Sequence, residues 1–403
     1  MRITMLLAGA ACAAPATAQT ITVKPLAEAR LRYEMVDQDG LARNADAVTA
    51  RLRTGAEAQV GPWSALAEAQ GTLAIVGDYD DGLHGGATRP LVPDPQNVAL
   101  YRAQIAYRTD PLSLTVGRQR IALDDERFVG NIPFRQNAQT FDAGRVQIVA
   151  IKGVKADLSY VRAVHTIWGV DGTGARPSAI GGDTVLANLA WTTPAGTLTG
   201  FGYWIDEDEA AVQGFRLSSR TLGGRLAGAR PIGLAKLRYQ ASYAHQDDLH
   251  RNPNDYAADY WLADAGLDLG GLRVGGGYEV FSAGRGRNRG AAFTSFQTPL
   301  AANFKFNGWA EKFTTKPADG LRDLYGSAGW VWPTIGALKA VSLSAIYHRF
   351  ESDRLVRHYG NEIDLLAQAR LGRTTASLRF ADYAADRFAT DTRKLWLQLD
   401  WTI

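Results

Sequence analysis

The sequence predicts an all-β fold, a transmembrane up-and-down antiparallel β-barrel of about eighteen strands, with sixteen as the alternative. Three observations point there. Segments of about ten to fourteen residues alternate polar and apolar side chains, the period of a strand. The connections between them alternate short and long. The polar faces carry arginine on segment after segment, while aromatics gather near segment ends.

The first segment is among the clearest. Ala27, Ala29, Leu31, Tyr33 and Met35 share one face, opposite Glu28, Arg30, Arg32 and Glu34. In the next, Val48, Ala50, Leu52, Ala56, Ala58 and Val60 oppose Thr49, Arg51, Arg53, Glu57 and Gln59. Later, Leu237, Tyr239, Ala241 and Tyr243 oppose Lys236, Arg238, Gln240 and Ser242. Ala376, Leu378 and Phe380 oppose Thr375, Ser377 and Arg379. Trp63, Tyr107, Trp191, Trp204, Trp330, Trp332 and Trp401 mark segment ends. A soluble sandwich also alternates, but it does not combine arginine-dense faces with this placement of aromatics.

Turn chemistry divides the connections into two classes. Short turns are expected at Gly61-Pro62, Thr109-Asp110-Pro111, Gly153, Pro194-Ala195-Gly196, Arg230-Pro231, Gly270-Gly271, Pro333 to Gly336 and Leu371-Gly372. Longer polar stretches lie between them, at 37–46, 77–97, 122–140, 166–183, 206–214, 246–256, 284–320, 351–360 and 384–392. Short periplasmic turns and long outside loops are the pattern of an outer-membrane barrel with both termini on the periplasmic side. The last segment fits: Leu395, Leu397, Leu399, Trp401 and Ile403 alternate with Trp396, Gln398, Asp400 and Thr402 up to the final residue.

The first eighteen residues read as a signal peptide. Met1-Arg2 is a positive start, Ile3 to Ala14 an apolar stretch, and Ala16-Thr17-Ala18 an A-x-A cleavage site. Residues 19–403 are then expected to form a single barrel domain. Alternation begins within a few residues of Gln19, which leaves no room for an N-terminal plug. The one cysteine, Cys12, falls inside the signal, so no disulfide is expected. No apolar run is long enough for a membrane helix. With 44 basic and 41 acidic side chains, the charge is too balanced to suggest a nucleic-acid partner.

The densest pairing of opposite charge lies in GRQRIALDDERFVGNIPFRQNAQTFDAGRV, Gly117 to Val146. Asp124, Asp125 and Glu126 have the chemistry of a general acid and base, but an ion-paired loop fits their arginine neighbours better, so no catalytic residue is assigned. The histidines His84, His165, His245, His250, His348 and His358 show no metal-ligand spacing, and no metal or cofactor is expected. His245 and His250 flank Asp247-Asp248, which reads as a solvated loop. There is no G-x-S-x-G. Gly284 to Gly290 resembles a phosphate loop but lacks its lysine and helix, and reads as a cationic outside loop able to touch lipopolysaccharide.

The arginines are the informative set. Arg30, Arg32, Arg51, Arg53, Arg102, Arg238 and Arg379 share polar faces that line the lumen of a barrel. Cations facing one cavity raise the local concentration of anions, and arginine rings are the expected selectivity device of an anion pore. Glu28, Glu34 and Glu57 on the same faces supply partners that stiffen the wall.

The chain resembles the alginate-export family of outer-membrane barrels. The resemblance is carried by residues 117–146 quoted above, by TPLAANFKFNGWAEKFTTKPADGLRDLYG (298–326), by YHRFESD (347–353) with YGNEIDL (359–365), and by the final strand. It implies an arginine-rich constriction for an acidic polysaccharide. Arg118, Arg120, Arg127, Arg135 and Arg145, with the carboxylates Asp124, Asp125 and Asp142, occupy the family motif and are the expected constriction. The implied function is a passive outer-membrane channel for anionic saccharides, either an alginate-like polymer or smaller oligosaccharides and sugar acids. A general, aromatic-acid or oligosaccharide uptake porin is the alternative, and an outer-membrane barrel enzyme is the second. Implied partners are the anionic saccharide, outer-membrane lipid and lipopolysaccharide, and the barrel-assembly machinery.

Overall fold

The computed structural model describes residues 20–86, 88–286 and 294–403, so the expected signal peptide and most of the Gly284–Gly290 stretch lie outside the described residues. Eighteen strands follow in order: β1 (Thr22–Gln38), β2 (Ala45–Val60), β3 (Trp63–Asp78), β4 (Asn97–Arg108), β5 (Leu112–Gln119), β6 (Thr140–Ile151), β7 (Val154–His165), β8 (Ala179–Thr193) and β9 (Gly196–Ile205) form the first half. β10 (Ser219–Ile232), β11 (Ala235–Asp248), β12 (Ala257–Leu269), β13 (Leu272–Phe281), β14 (Leu321–Ile335), β15 (Leu338–Glu351), β16 (His358–Leu371), β17 (Thr374–Ala385) and β18 (Thr392–Thr402) form the second. Each strand pairs with its neighbours in the chain. β1 closes the sheet against β18, from Glu28 opposite Thr402 to Gln38 opposite Thr392.

Closure follows from the alternation. Leu31, Leu52, Leu73, Leu343, Leu378 and Leu397 all point outward and are exposed on the isolated chain. So large an apolar surface on a folded chain marks contact with lipid. Lipid offers no partner for backbone N–H and C=O, and only a closed ladder satisfies them all. No helix among the described residues is long and apolar enough to cross a membrane; the strands cross instead. Exposed aromatics ring the belt at two levels. Trp63, Trp191, Trp330 and Trp401 lie toward the short turns, and Tyr160, Tyr243, Trp261, Tyr278 and Tyr347 lie toward the long loops. Such girdles sit at the two membrane interfaces.

The connections match the predicted alternation of short and long. Several short turns place glycine in the left-handed region, with φ near 56–59° at Gly61, Gly233, Gly270, Gly336 and Gly372, as tight hairpins between twisted strands require. One turn moves: Pro231, read as a turn residue, is the penultimate residue of β10, and Gly233 makes the turn. The long loops are L1 (39–44), L2 (79–96), L3 (120–139), L4 (166–178), L5 (206–218), L6 (249–256), L7 (282–320), L8 (352–357) and L9 (386–391). L3 and L7 carry many of the buried apolar side chains, including Ile121, Val129, Phe296, Leu300, Phe304 and Phe313. The barrel therefore has a core where these two loops fold inside it.

Leu365 faces outward and pairs with Ala345, midway along the wall between the Tyr347 and Trp330 levels. Leu365→Arg is expected to destabilise the folded barrel by roughly 2–4 kcal/mol in a bilayer. Gln368→Arg on the same strand points inward and should cost much less. Reversible unfolding in lipid vesicles measures both.

Candidate functional site in the lumen

L3 leaves the wall after β5 and turns inward, where the apolar Ile121, Leu123 and Val129 are buried. Its charged residues then tie it to the surrounding wall. Asp125 accepts from Arg225 of β10 at 3.1 Å and from Gln240 of β11 at 3.0 Å. Asp124 lies 3.6 Å from Arg225 and accepts from Asn188 of β8 at 2.9 Å. Burial pushes the Asp124 carboxyl up, although Arg225 pulls it the other way. Glu126 pairs with Lys305 of L7 at 3.1 Å. These carboxylates are struts.

The loop arginines are struts too. Arg127 is buried and donates twice to Glu279 of β13 at 2.6 Å and once to Asn307 of L7 at 2.6 Å, between the rings of Phe281 and Phe306. Burial opposes its charge, yet Glu279 holds its pKa above the ordinary guanidinium value. Arg135 is also buried, reaching Glu34 of β1 at 3.2 Å, Asp94 of L2 at 3.4 Å, and Glu311 of L7. An isolated buried guanidinium would be prohibitive; a guanidinium with three carboxylates is tolerable and holds its loop in one place.

L7 meets L3 in the lumen. The Gly130 N–H donates to the Leu300 carbonyl at 2.8 Å, and the Ala302 N–H to the Glu126 carbonyl at 3.1 Å. Phe134 and Phe304 stack with centroids 3.3 Å apart. L7 is fastened to the far wall by backbone donors. The Ala310 N–H bonds Glu362 at 2.6 Å, and the Trp309 N–H bonds Asp364 at 3.2 Å. Asn307 donates to Glu279 and Asp323 at 2.7 and 3.0 Å. Glu311 accepts from Lys394 at 2.8 Å as well as from Arg135. Burial alone would raise the Glu311 pKa, but Arg135 and Lys394 outweigh it and hold it down to about 2.

The sequence places the expected constriction within 117–146 and reads 284–320 as an outside loop. In the structure both L3 and L7 fold into the lumen, and the L7 anchors Glu279, Asp323, Glu362 and Asp364 were not anticipated. The run of apolar and aromatic residues from Phe304 to Phe313 lacks strand alternation and is too hydrophobic for an exposed loop; that was the available signal.

Beside the Phe134 turn of L3, the inner wall of β1, β2 and β17 carries the arginine cluster, with β18 supplying partners. Arg30 bonds Asp400 at 2.7 Å and the Phe134 carbonyl at 2.8 Å. Arg51 and Arg53 share Glu28, each at 3.3 Å, and Arg53 also bonds Gln70 at 2.6 Å. Arg32 bonds Gln398 at 2.9 Å and Asp94 at 3.2 Å and lies over the Phe134 ring. Arg379 differs. It faces the lumen beside the rings of Phe134, Phe304 and Trp309 at 5.5, 5.6 and 4.9 Å, yet has no hydrogen bond or ion pair among the described residues. It is partly exposed. A half-desolvated guanidinium without a carboxylate, next to flat apolar rings, can accept an anion that carries an apolar or ring face.

The remaining predicted residues fall elsewhere. Arg102, Arg145 and Arg238 stand on the inner face, paired with Glu68 at 2.6 Å, Asp157 at 2.6 Å and Asp268 at 3.0 Å. Arg120 is exposed where L3 begins. Arg118 and Asp142, expected in the lumen and at the constriction, are on the opposite side of the wall. Arg118 is two residues beyond the exposed Val116 and pairs directly with Asp142, so both share the outward face. The reason is parity: a one-residue offset at the end of a strand reverses the face. His245 likewise lies on the outer face of β11 against Asp259, and Asp247 pairs with Arg220. No group of three or more metal-ligating side chains occurs among the described residues.

Because Glu311 titrates below its unfolded value of 4.5, its contribution is present above that pH and is lost as pH falls toward 2. Glu311→Gln, which removes the shared partner of Arg135 and Lys394, should loosen L7 and raise channel conductance at neutral pH. In the unmodified chain the clasp made by Glu311 should survive acidification from pH 7 to 5. Conductance recorded across that range in both proteins checks this.

Comparison with curated protein sequences gave no match. In structure the chain is similar to OccAB4 of Acinetobacter baumannii at 14% identity, with TM-score 0.70 over 96% of this chain and 99% of that one. It is similar to OccK2 (OpdF) of Pseudomonas aeruginosa, solved with glucuronate, at 14% identity and TM-score 0.67 over 94% and 98% of the two chains. OpdK of Pseudomonas aeruginosa, solved with vanillate, matches at 11% identity and TM-score 0.67 over the same shares, 94% and 98%. These likenesses establish the porin-type barrel. The alginate-export family model matches residues 25–362, and with the closed eighteen-strand barrel this establishes that the chain belongs to the alginate-export family, as a channel of the bacterial outer membrane.

Proposed function

We propose that the channel passes small anionic saccharides and sugar acids, drawn through an arginine-lined lumen past the L3–L7 constriction. Arg379 carries this reading. It is the guanidinium of the lumen cluster with no hydrogen bond or ion pair among the described residues, and it stands beside Phe134 of L3 and Phe304 and Trp309 of L7. Arg30, Arg51 and Arg53 lie nearby with some of their charge already offset by Glu28 and Asp400. Offset charges keep the field positive without trapping the solute, as conduction requires. Passage is passive, and no bond is made or broken.

Two neighbours of the same fold, one solved with glucuronate and the other with vanillate, support a small carboxylate as cargo. The stacked Phe134 and Phe304 beside Arg379 favour a solute with a flat or apolar face, so uptake of aromatic acids is the second reading. Residues 1–18 would direct export, after which the assembly machinery would insert the barrel among outer-membrane lipid and lipopolysaccharide.

Glucuronate should interrupt single-channel current in planar bilayers. A charge-assisted contact worth about 1 kcal/mol predicts about fivefold weaker blockade in Arg379→Gln. Equal blockade in both proteins would remove Arg379 from the path. Vanillate blockade stronger than glucuronate blockade would favour the aromatic-acid reading.

A further inference from the structure

The barrel wall has a break on its outer-leaflet side. β4 and β5 form only six residue pairs, from Ala103 opposite Arg118 to Arg108 opposite Ser113. On its other edge β4 stays paired with β3 up to Asn97. The stretch from Asn97 to Arg102 therefore presents a bare edge where β5 has already turned inward as L3. In lipid a bare edge is costly unless something caps it.

The cap is the outward-facing trio that plays no part in the lumen. Arg118 donates to the Leu100 carbonyl at 3.2 Å and, through Nε and Nη2, to Asp142 at 2.9 and 3.1 Å. His165 of β7 lies 2.7 Å from the same carboxylate. One side-chain clip from β5, β6 and β7 thus reaches the edge of β4 in place of a ladder. From outside, L4 covers the gap, with the Val170 N–H donating to the Asn97 side chain at 3.0 Å. From inside, Asn137 of L3 covers it, bonded to Gln70 and Thr72 at 2.9 Å.

Between these covers lies a cavity of about 220 Å3. Its lining joins the two sides of the wall: Gln70, Tyr101 and Asn137 belong to the lumen, and Leu100, Arg118 and His165 to the outer face. Leu100 and the neighbouring Val98 are exposed to the membrane. Asp142 sits two residues from Gly144, the partner of the girdle residue Tyr160, so the break is at the outer interface.

We infer that this break is a lateral port between the lumen and the outer leaflet, and that its ligand is a single-chain amphipathic carboxylate of the fatty-acid type. The chemistry of the mouth selects that class. Arg118 and the His165 ring are held by one partly exposed carboxylate, Asp142, so an incoming carboxylate takes its place on the Arg118 guanidinium while Asp142 turns out to interfacial water. The apolar tail lies against Val98 and Leu100, where lipid already is. The cavity is smaller than a whole-ligand pocket, so it admits one end of the molecule. This route goes beyond axial passage of sugar acids, and neither depends on the other.

The test uses the full chain in nanodiscs with a diazirine-bearing dodecanoate, and adducts mapped by mass spectrometry. The ideal Cβ of Gly169, a residue with φ 71°, falls 3.0 Å from the Asn97 Cβ; a disulfide spans about 3.5–4.5 Å between Cβ atoms, so L4 must shift outward by about half an ångström to accept the pair. An oxidised Asn97→Cys/Gly169→Cys pair therefore staples L4 over the break after folding. Adducts on the L3 peptide containing Asn137 are expected in the unmodified chain. They should fall at least about fivefold in the oxidised pair, return on reduction, and rise in Asp142→Asn. Adducts confined to the Val98–Leu100 surface, or L3 labelling unchanged by both the staple and Asp142→Asn, would overturn the port. Gluconate conductance, recorded alongside, shows that each barrel is intact and fails separately if the axial reading is wrong.

Discussion

A chain that crosses lipid has no water to bond, so its backbone must bond to itself. This constraint organises the molecule. It forces the strands into a closed sheet, with β1 returning to β18, and it turns every second side chain inward. Once the wall is closed, the polar faces have one place to go. Charged groups that would be dispersed on a soluble protein are concentrated around a single passage. The two loops that fold into that passage meet the same problem again, with their own backbone and charges now removed from bulk water.

The lumen solves it by pairing nearly everything. Arg127 and Arg135 are the most buried of the loop arginines, and each is surrounded by carboxylates or amides from several elements. Such pairs add little net stability over apolar packing, but breaking one is costly, so they hold the loops in one arrangement. A solute in transit finds those charges already spent. Arg379 lies against aromatic rings and has no ion pair among the described residues, which is why the proposed reading gives it the passing anion. On that reading, position and pairing separate structural arginines from functional ones, although they are chemically identical.

Much of the fold was legible. Period-two alternation, the spacing of Gly and Pro turns and the balance of loop lengths follow directly from strand geometry, and they survive without any knowledge of contacts. The inward position of Arg30, Arg51, Arg53 and Arg379 was legible for the same reason. What sequence could not supply was pairing. Nothing local distinguishes Arg135, which meets Glu34 and Glu311 from distant parts of the chain, from Arg379, which meets neither. Arg118 and Asp142 were misplaced because parity is ambiguous where a strand gives way to a loop. L7 was read as outside because its partners, Glu279, Glu362 and Asp364, come from strands far along the chain.

The central claim is that unpaired positive charge in the lumen sets the selectivity of the channel. Its most direct test is the reversal potential of the purified protein in a planar bilayer under a potassium gluconate gradient. The account predicts a sign that corresponds to anion preference, reduced in Arg379→Gln. A reversal potential of the opposite sign, corresponding to preference for potassium, would contradict it.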